Sequence, residues 1–275
     1  MSYIEQQLKE FKRLIETAIK SDGVQGKESM IRSSHLINLI HDAVKKVLID
    51  NGVDCNCIYP RFNQSNPEIK LAGFLKQKDQ DVCVVPKNIS KRRCDINWGP
   101  LKFQNKYDEY GFEYATNTLV VNVRSQMSSL AKNADTLFER TFAEALNLHM
   151  RYPDMVLGDV YLIPVNEYDD NEIKKRTIAF KEKKTDLEKY ISFFSSISGR
   201  EKGSDDVYKY ERCALLIVDF NRSNPKLYES TAELKEDGLI SEDFAIEYSQ
   251  INFATFAKDL LDIYAQRYKI DNIMS

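Results

Sequence analysis

The chain has 275 residues, of which 43% are hydrophobic and 29% are charged, and its formal net charge at pH 7 is −3. This apolar fraction can build a core and excludes a disordered chain, and no run of about 18 apolar residues is present to span a membrane. The N-terminal segment is amphipathic and charged throughout, so it is not expected to be a secretory signal, and the near-neutral balance alone gives no sign of a nucleic-acid partner.

Hydrophobic periodicity predicts two helices at the start of the chain. Apolar residues recur at helical spacing over residues 3–20, and a turn is expected at 21–23. A second helix is predicted from about Glu28 to Asn51, where Asn51-Gly52 forms a typical helix end.

The rest of the chain alternates between strand-like and helix-like segments. Short apolar or β-branched runs predict strands at 70–75, 81–85, 118–123, 160–165 and 213–220. Helical periodicity predicts helices at 125–151 and 244–268, with a charged helical stretch over 171–202. This order predicts an α/β fold with a mixed central β-sheet flanked by helices. We expect one domain over 1–275, with a helical element at 1–60, a core at 61–165, and a helical excursion, further strand and closing helix at 166–275.

The cysteines predict a reducing compartment. There are five of them, at positions 55, 57, 83, 94 and 213, and an odd number in apolar runs favours buried free thiols in the cytoplasm. Cys55 and Cys57 are one residue closer than the spacing that zinc sites favour, so a structural zinc is not expected.

The absence of several motifs limits the catalytic mechanisms and cofactors that this chain is expected to use. The sequence contains no GxSxG, GxxxxGK[ST] or GxGxxG pattern, and only three histidines. No organic cofactor and no histidine-based metal centre is therefore expected. Carboxylates and lysines remain, and these favour a hard divalent cation such as Mg²⁺.

Two stretches carry candidate site residues. In KLAGFLKQKDQDVCVVPK, Asp79 and Asp81 stand two apart at the start of a strand and point to one face, with Lys76 and Lys78 beside them. Charged residues also commonly cap strand ends, and this alternative stays open until other ionic groups are found nearby.

The second stretch is TLVVNVRSQMSSLAKNADTLFERTFAEALNL. Its strand ends with Asn122 and Arg124 on one face, and the helix that follows has a polar face of Ser128, Lys132, Asp135 and Glu139. Glu144 lies close to the apolar stripe, where a carboxylate must be paired, neutralised or bound to metal. A salt bridge with Arg140, four residues earlier, is the alternative to a catalytic role.

The segment NVRSQMSSLAKNADTLFERTFAEALNLHMRYPDMVLGDVYLIPV, preceded by KDQDVCVVP, resembles type II restriction endonucleases of the PD-(D/E)XK nuclease superfamily. In that superfamily an acidic residue begins one strand, a (D/E)xK motif lies on the next, and a helix and another strand follow. The resemblance covers about residues 68–165. It implies Mg²⁺-dependent, sequence-specific cleavage of double-stranded DNA by a homodimer.

The resemblance implies roles for individual residues. Asp81 is the candidate for the first metal-binding carboxylate, and Glu68 for an auxiliary acid. The (D/E)xK position falls on Asn122-Val123-Arg124, where both the acid and the lysine are missing. In related enzymes the missing carboxylate migrates to the following helix. The candidates for that carboxylate and for the accompanying positive charge are Glu139 and Glu144, with Lys132 or Arg124.

Phosphodiester hydrolysis needs a nucleophilic water and stabilisation of charge on phosphate oxygens. A carboxylate-held Mg²⁺ supplies both, with a lysine or arginine assisting, so no histidine is required.

The charge distribution supports a nucleic-acid partner. Residues 76–106, here called the basic segment, hold eight Lys or Arg and three acids, a net +5, whereas 225–275 hold five basic and ten acidic residues, a net −5. A basic loop between core strands can follow DNA phosphates, although a solvated loop with a basic bias is the alternative. A second basic cluster lies at 174–184. The residues predicted to contact DNA are Lys76, Lys78, Lys87, Lys91, Arg92, Arg93, Trp98, Ser125 and Gln126.

Two other functions stay open. The missing (D/E)xK motif favours a non-catalytic nucleic-acid-binding protein on a decayed nuclease scaffold. A regulatory or assembly protein unrelated to nucleic acid is the third possibility.

Overall fold

The computed structural model describes residues 1–275 and has an α/β architecture with a mixed central sheet flanked by helices. The helices are α1 Tyr3–Arg32, α2 Ser34–Asp50, α3 Phe112–Thr116, α4 Leu130–His149, α5 Asp170–Lys174, α6 Leu187–Ile197, α7 Thr231–Glu236 and α8 Phe256–Arg267. The strands are β1 Ile58–Tyr59, β2 Ile69–Ala72, β3 Gln77–Gln80, β4 Val82–Val84, β5 Cys94–Asp95, β6 Tyr107–Asp108, β7 Leu119–Ser125, β8 Leu157–Pro164, β9 Asn166–Tyr168, β10 Phe180–Lys184, β11 Arg212–Asp219 and β12 Lys226–Leu227.

The central sheet has six strands in the order β1-β4-β7-β8-β11-β12. Its middle strands β7, β8 and β11 are parallel, while β1, β4 and β12 are antiparallel to their neighbours. The middle strands are almost wholly buried, which explains why their sequences are nearly continuous apolar runs. Three two-stranded ribbons, β2-β3, β5-β6 and β9-β10, lie outside this sheet.

Side chains alternate between two hydrophobic layers. One face of the sheet, which includes Val121, packs against α1, α2 and α8. The other face, which includes Val120, packs against α4 and α6. Because successive residues of a strand point to opposite faces, Asn122 and Arg124 lie on the face covered by α4.

The N-terminal helices differ in extent from the sequence prediction. The expected turn at 21–23 is a local break at Asp22 and Gly23, where Gly23 has a φ of +56°, and the helix then continues to Arg32. The second helix therefore begins at Ser34 rather than near residue 28. None of the helices combines the length and the apolar character needed to cross a bilayer.

Two predicted helices are wrong in part. The stretch 171–202 contains α5, the strand β10 and α6, because β10 pairs with β9 in a largely exposed ribbon whose polar residues give no strand-like alternation. The closing helix begins only at Phe256, and a 3₁₀ helix at Tyr248–Ile251 occupies part of the predicted span.

Candidate functional site

Three polar side chains form a row across neighbouring strands, here called the strand row (Asp81, Asn122 and Asp159). Asn122 on β7 pairs with Asp159 on β8, and Val82 pairs with Val121, which places Asp81 next to Asn122. Neighbouring strands lie about 4.8 Å apart, and these positions share the face covered by α4. Because β4, β7 and β8 are consecutive in the sheet, their register brings together residues that are 78 positions apart in the chain.

Asp159 is the member of this row that the sequence prediction missed. It is fully buried, and neither carboxylate oxygen has a hydrogen-bond partner. Arg124 Nη1 lies 3.3 Å from Oδ1, within ion-pair distance but without hydrogen-bond geometry. Burial raises the pKa of Asp159 to about 7, and Arg124 opposes this shift. The available signal was a single acid within the apolar run MVLGDVYLI.

An ion cluster of Lys78, Arg124 and Glu144 lies between the strand row and α4. Lys78 Nζ is 3.0 Å from Glu144 Oε2 and 3.5 Å from Asn122 Oδ1. Arg124 also contacts Glu144, and its Nη1 donates to Thr141 Oγ1 at 2.6 Å. Burial favours a higher pKa for Glu144, but the two cations hold that pKa below its ordinary value.

These contacts correct one prediction. The salt-bridge partners of Glu144 are Arg124 and Lys78 rather than Arg140. Lys78, predicted as a DNA contact, lies in the ion cluster and keeps 26% of its side chain exposed.

The β2-β3 ribbon positions Lys78. Asn147 on α4 accepts hydrogen bonds from the backbone N–H groups of Leu75 and Lys76, at 2.7 and 3.1 Å. This anchor holds the turn of the ribbon against α4 one turn beyond Glu144. Lys78 then comes within reach of Glu144, a contact between residues 66 positions apart.

Asp81 is fixed at the start of β4. Its Oδ2 accepts a hydrogen bond from the backbone N–H of Val123 at 2.9 Å. Glu68 is exposed at its residue surface. Partial burial raises the pKa of Glu68, and the nearby negative charge of Asp81 raises it further. Asp79 instead pairs with Lys70 at 3.2 Å on the exposed side of the ribbon. The structure therefore brings Glu68 near Asp81 and separates Asp79 from the strand row.

The structure does not bring Glu139 or Lys132 to this site. Both are exposed on α4, and Glu139 lies five residues before Glu144, on a different side of the helix. Lys132 lines a separate pocket of about 440 Å³ near the start of α4. The predicted migration of the carboxylate therefore fits Glu144 and not Glu139.

The strand row offers oxygen donors of the kind that Mg²⁺ prefers. No group of three or more His, Cys, Asp or Glu side chains is arranged to hold a metal ion. Mg²⁺, however, usually binds through one or two carboxylates and keeps several waters. Asp81 and Asp159 supply two carboxylates, and Asn122 supplies an amide oxygen between them.

The predicted DNA contacts divide into exposed and buried residues. Lys76, Lys91, Arg92 and Arg93 are exposed, and Trp98 is 40% exposed and packs against Phe74. Lys87 is exposed but pairs with Asp54 at 2.7 Å.

Two further predicted DNA contacts lie at the end of β7. Ser125 is half-buried, and the structure corrects the prediction for Gln126. The Gln126 side chain is buried, and its Oε1 accepts hydrogen bonds from Tyr161 and Tyr190. Its amide is therefore used within the core and is not free to contact a base.

Comparisons with protein families, with curated proteins and with solved structures find no match to this chain. The chemistry of the site therefore carries the functional interpretation. Two carboxylates and an amide lie in a row, and two cations adjoin them. The basic segment packs against the β2-β3 ribbon through Ile96 and Leu101, which contact Ala72.

Proposed function

We propose that this chain is a Mg²⁺-dependent endonuclease that cleaves double-stranded DNA, with a restriction-endonuclease-like fold of the type II kind. The strand row is the observation that carries the proposal. It places Asp81, Asn122 and Asp159 on adjacent strands, with Asp159 buried and without hydrogen bonds. A buried carboxylate without donors is costly to a fold, so a ligand-binding role explains it better than packing does.

Asp81 and Asp159 would hold the metal ion, and the Asn122 amide oxygen would add a neutral ligand. When bound, Mg²⁺ supplies a water of lowered pKa and neutralises charge on the phosphate. Asp81 is oriented for this role by its hydrogen bond from the Val123 N–H.

Lys78 and Arg124 have separate roles in this proposal. Lys78 keeps 26% of its side chain exposed, so its ammonium group can reach a phosphate oxygen and stabilise charge there. Arg124 keeps only 18% exposed and contacts Thr141, Glu144 and Asp159. It therefore positions the carboxylates, and Lys78 takes the role of the lysine that is missing from the (D/E)xK position, where Arg124 stands.

The basic segment supports DNA as the substrate. Of its eight cations, five form no ion pair with an acid, namely Lys76, Lys91, Arg92, Lys102 and Lys106. Cations that are not neutralised within the protein can bind phosphates and release counterions. A homodimer whose twofold axis matches a palindromic sequence, acting in the cytoplasm, completes the proposal.

Digestion of unmethylated phage DNA tests the proposal. The wild-type protein with Mg²⁺ is expected to give discrete fragments, and chelation with EDTA is expected to abolish them. Asp81→Asn should lower the cleavage rate by at least about a hundredfold, because it removes a charged metal ligand, while leaving DNA binding intact. Asp79→Asn is the matched control and should cleave like the wild type, because Asp79 pairs with Lys70 away from the row.

A non-catalytic DNA-binding protein is the second candidate. One observation favours it: Glu144 contacts both Lys78 and Arg124, so part of the positive charge beside the row is already neutralised. A mobility shift of duplex DNA without cleavage, in both Mg²⁺ and Mn²⁺, would support this alternative and contradict the first.

A further inference from the structure

An open groove of about 710 Å³ lies along the chain between the basic segment and α3. Lys91, Arg92 and Glu113 line the groove together with an aromatic wall of Tyr110, Phe112 and Tyr114. This volume falls within the range of about 300–1,000 Å³ that is typical of small-ligand sites. Aromatic rings beside two cations form a surface suited to a base and its phosphate.

The aromatic wall is preformed. The Tyr110 and Tyr114 rings are stacked, with centroids 5.4 Å apart and planes at 21°. Phe112 is 58% exposed and touches another ring only at Tyr152, whose centroid is 5.7 Å away. Phe112 therefore presents an exposed aromatic face beside the cations of the groove.

The cations of the groove are available for a ligand. Lys91 Nζ lies 4.9 Å from the centroid of the Tyr110 ring and 5.7 Å from that of Tyr114. Neither Lys91 nor Arg92 forms an ion pair with an acid, whereas the adjacent Arg93 pairs with Glu109 at 3.4 Å. The two unpaired cations can therefore bind phosphate without first losing a carboxylate partner.

We infer that this groove binds an unpaired nucleotide of single-stranded DNA. The base stacks on the exposed ring of Phe112, while Lys91 and Arg92 bind the flanking phosphates. Stacking of this kind tolerates any base, because every base has a π-face. The inference rests on the proposed function only for the identity of the polymer as DNA.

Fluorescence anisotropy with a labelled 12-nucleotide DNA single strand tests the inference. The full chain is measured in EDTA, so that binding is separated from cleavage. Phe112→Ala should weaken binding about tenfold, the size expected for one lost stacking contact. Lys91→Gln should reduce the slope of log affinity against log salt by about 0.7, which corresponds to one lost phosphate contact on a single strand.

Matched controls isolate the groove. Phe142→Ala removes another partly exposed ring that stacks on a tyrosine, with centroids 4.7 Å apart, but lies on α4 outside the groove. Lys202→Gln removes an exposed lysine elsewhere. Both controls should bind like the wild type, and Phe112→Tyr should restore the affinity lost in Phe112→Ala.

The results separate this inference from the proposed function. Unchanged single-strand affinity in both Phe112→Ala and Lys91→Gln would overturn the groove assignment even if duplex DNA is cleaved. Groove-dependent binding in a protein that never cleaves DNA would support the groove and contradict the nuclease.

Discussion

Two buried acidic residues, Glu211 and Asp159, differ in the hydrogen bonds that their carboxylates accept. Glu211, immediately before β11, accepts hydrogen bonds from the Leu157 N–H at 2.7 Å, from Arg200 at 2.9 Å and from Arg267 at 2.7 Å, with His149 3.3 Å away. Asp159 on β8 is equally buried but has no hydrogen bond.

The difference shows what each acid does. A fully hydrogen-bonded buried network makes the local structure specific and rigid, so Glu211 is explained by folding alone. Asp159 accepts no hydrogen bond and has only Arg124 within ion-pair distance, so its burial is not explained in that way. Asp159 is therefore the acid for which a ligand is the better explanation.

Glu211→Gln should produce the largest loss of stability. The substitution leaves the buried Arg200 and the nearly buried Arg267 without their counter-charge. Removing one partner from a buried ion pair costs about 3–5 kcal/mol, and urea denaturation would measure this loss in the free energy of unfolding. A loss below about 1 kcal/mol would show that the Glu211 network is not a stabilising centre.

Glu144→Gln should have an intermediate effect. It weakens contacts to Lys78 and Arg124, both partly exposed, so we expect a loss of about 1–3 kcal/mol in the free energy of unfolding together with slower DNA cleavage. Glu139→Gln on the same helix should stay within about 0.5 kcal/mol, as exposed substitutions usually do. Equal effects of the two substitutions would contradict the placement of Glu144 as the inward-facing acid.

Asp159→Asn should change the free energy of unfolding by an amount that depends on pH, in the direction opposite to that of Glu211→Gln. The folded pKa of about 7 lies above the ordinary value of 3.8, so the native state holds a proton that the unfolded state releases. Stability from this group is therefore present at low pH and is lost as pH rises toward 7. In metal-free buffer, the variant should gain stability relative to the wild type between about pH 4 and pH 7.

Glu211 should show the reverse behaviour. Burial favours a higher pKa, but the His149 hydrogen bond and Arg267 lower it below the ordinary value of 4.5. Its contribution is present above that value and is lost on acidification. The free energy of unfolding of the wild type and of Asp159→Asn can be measured at several pH values. A difference between the two proteins that did not change with pH would contradict this comparison.

Local pattern was sufficient to predict part of this site. Alternation along β7 places Asn122 and Arg124 on one face, and Asp81 precedes a clearly apolar strand, so these positions could be predicted from sequence. The order of helices and strands likewise predicted the α/β class and the mixed sheet, both of which the structure confirms.

The other features of the site depend on contacts between residues that are distant in the sequence. The pairing of Asn122 with Asp159 depends on the register of two parallel strands joined through α4, and no local pattern fixes that register. The position of Lys78 depends on Asn147 holding the β2-β3 ribbon, a contact between residues about 70 positions apart. Periodicity placed Glu144 near the apolar stripe and Glu139 on the polar face, but the partners of Glu144, Lys78 and Arg124, follow only from these long-range contacts.

Calorimetric titration of Mg²⁺ into the metal-free protein tests the strand row most directly, because it requires neither a DNA sequence nor cleavage. The wild type should bind the ion, Asp159→Asn and Asp81→Asn should each weaken binding at least about tenfold, and Asp79→Asn should bind like the wild type. Equal affinity in all four proteins, or no binding by the wild type, would contradict the assignment of Asp81, Asn122 and Asp159 as a divalent-cation site.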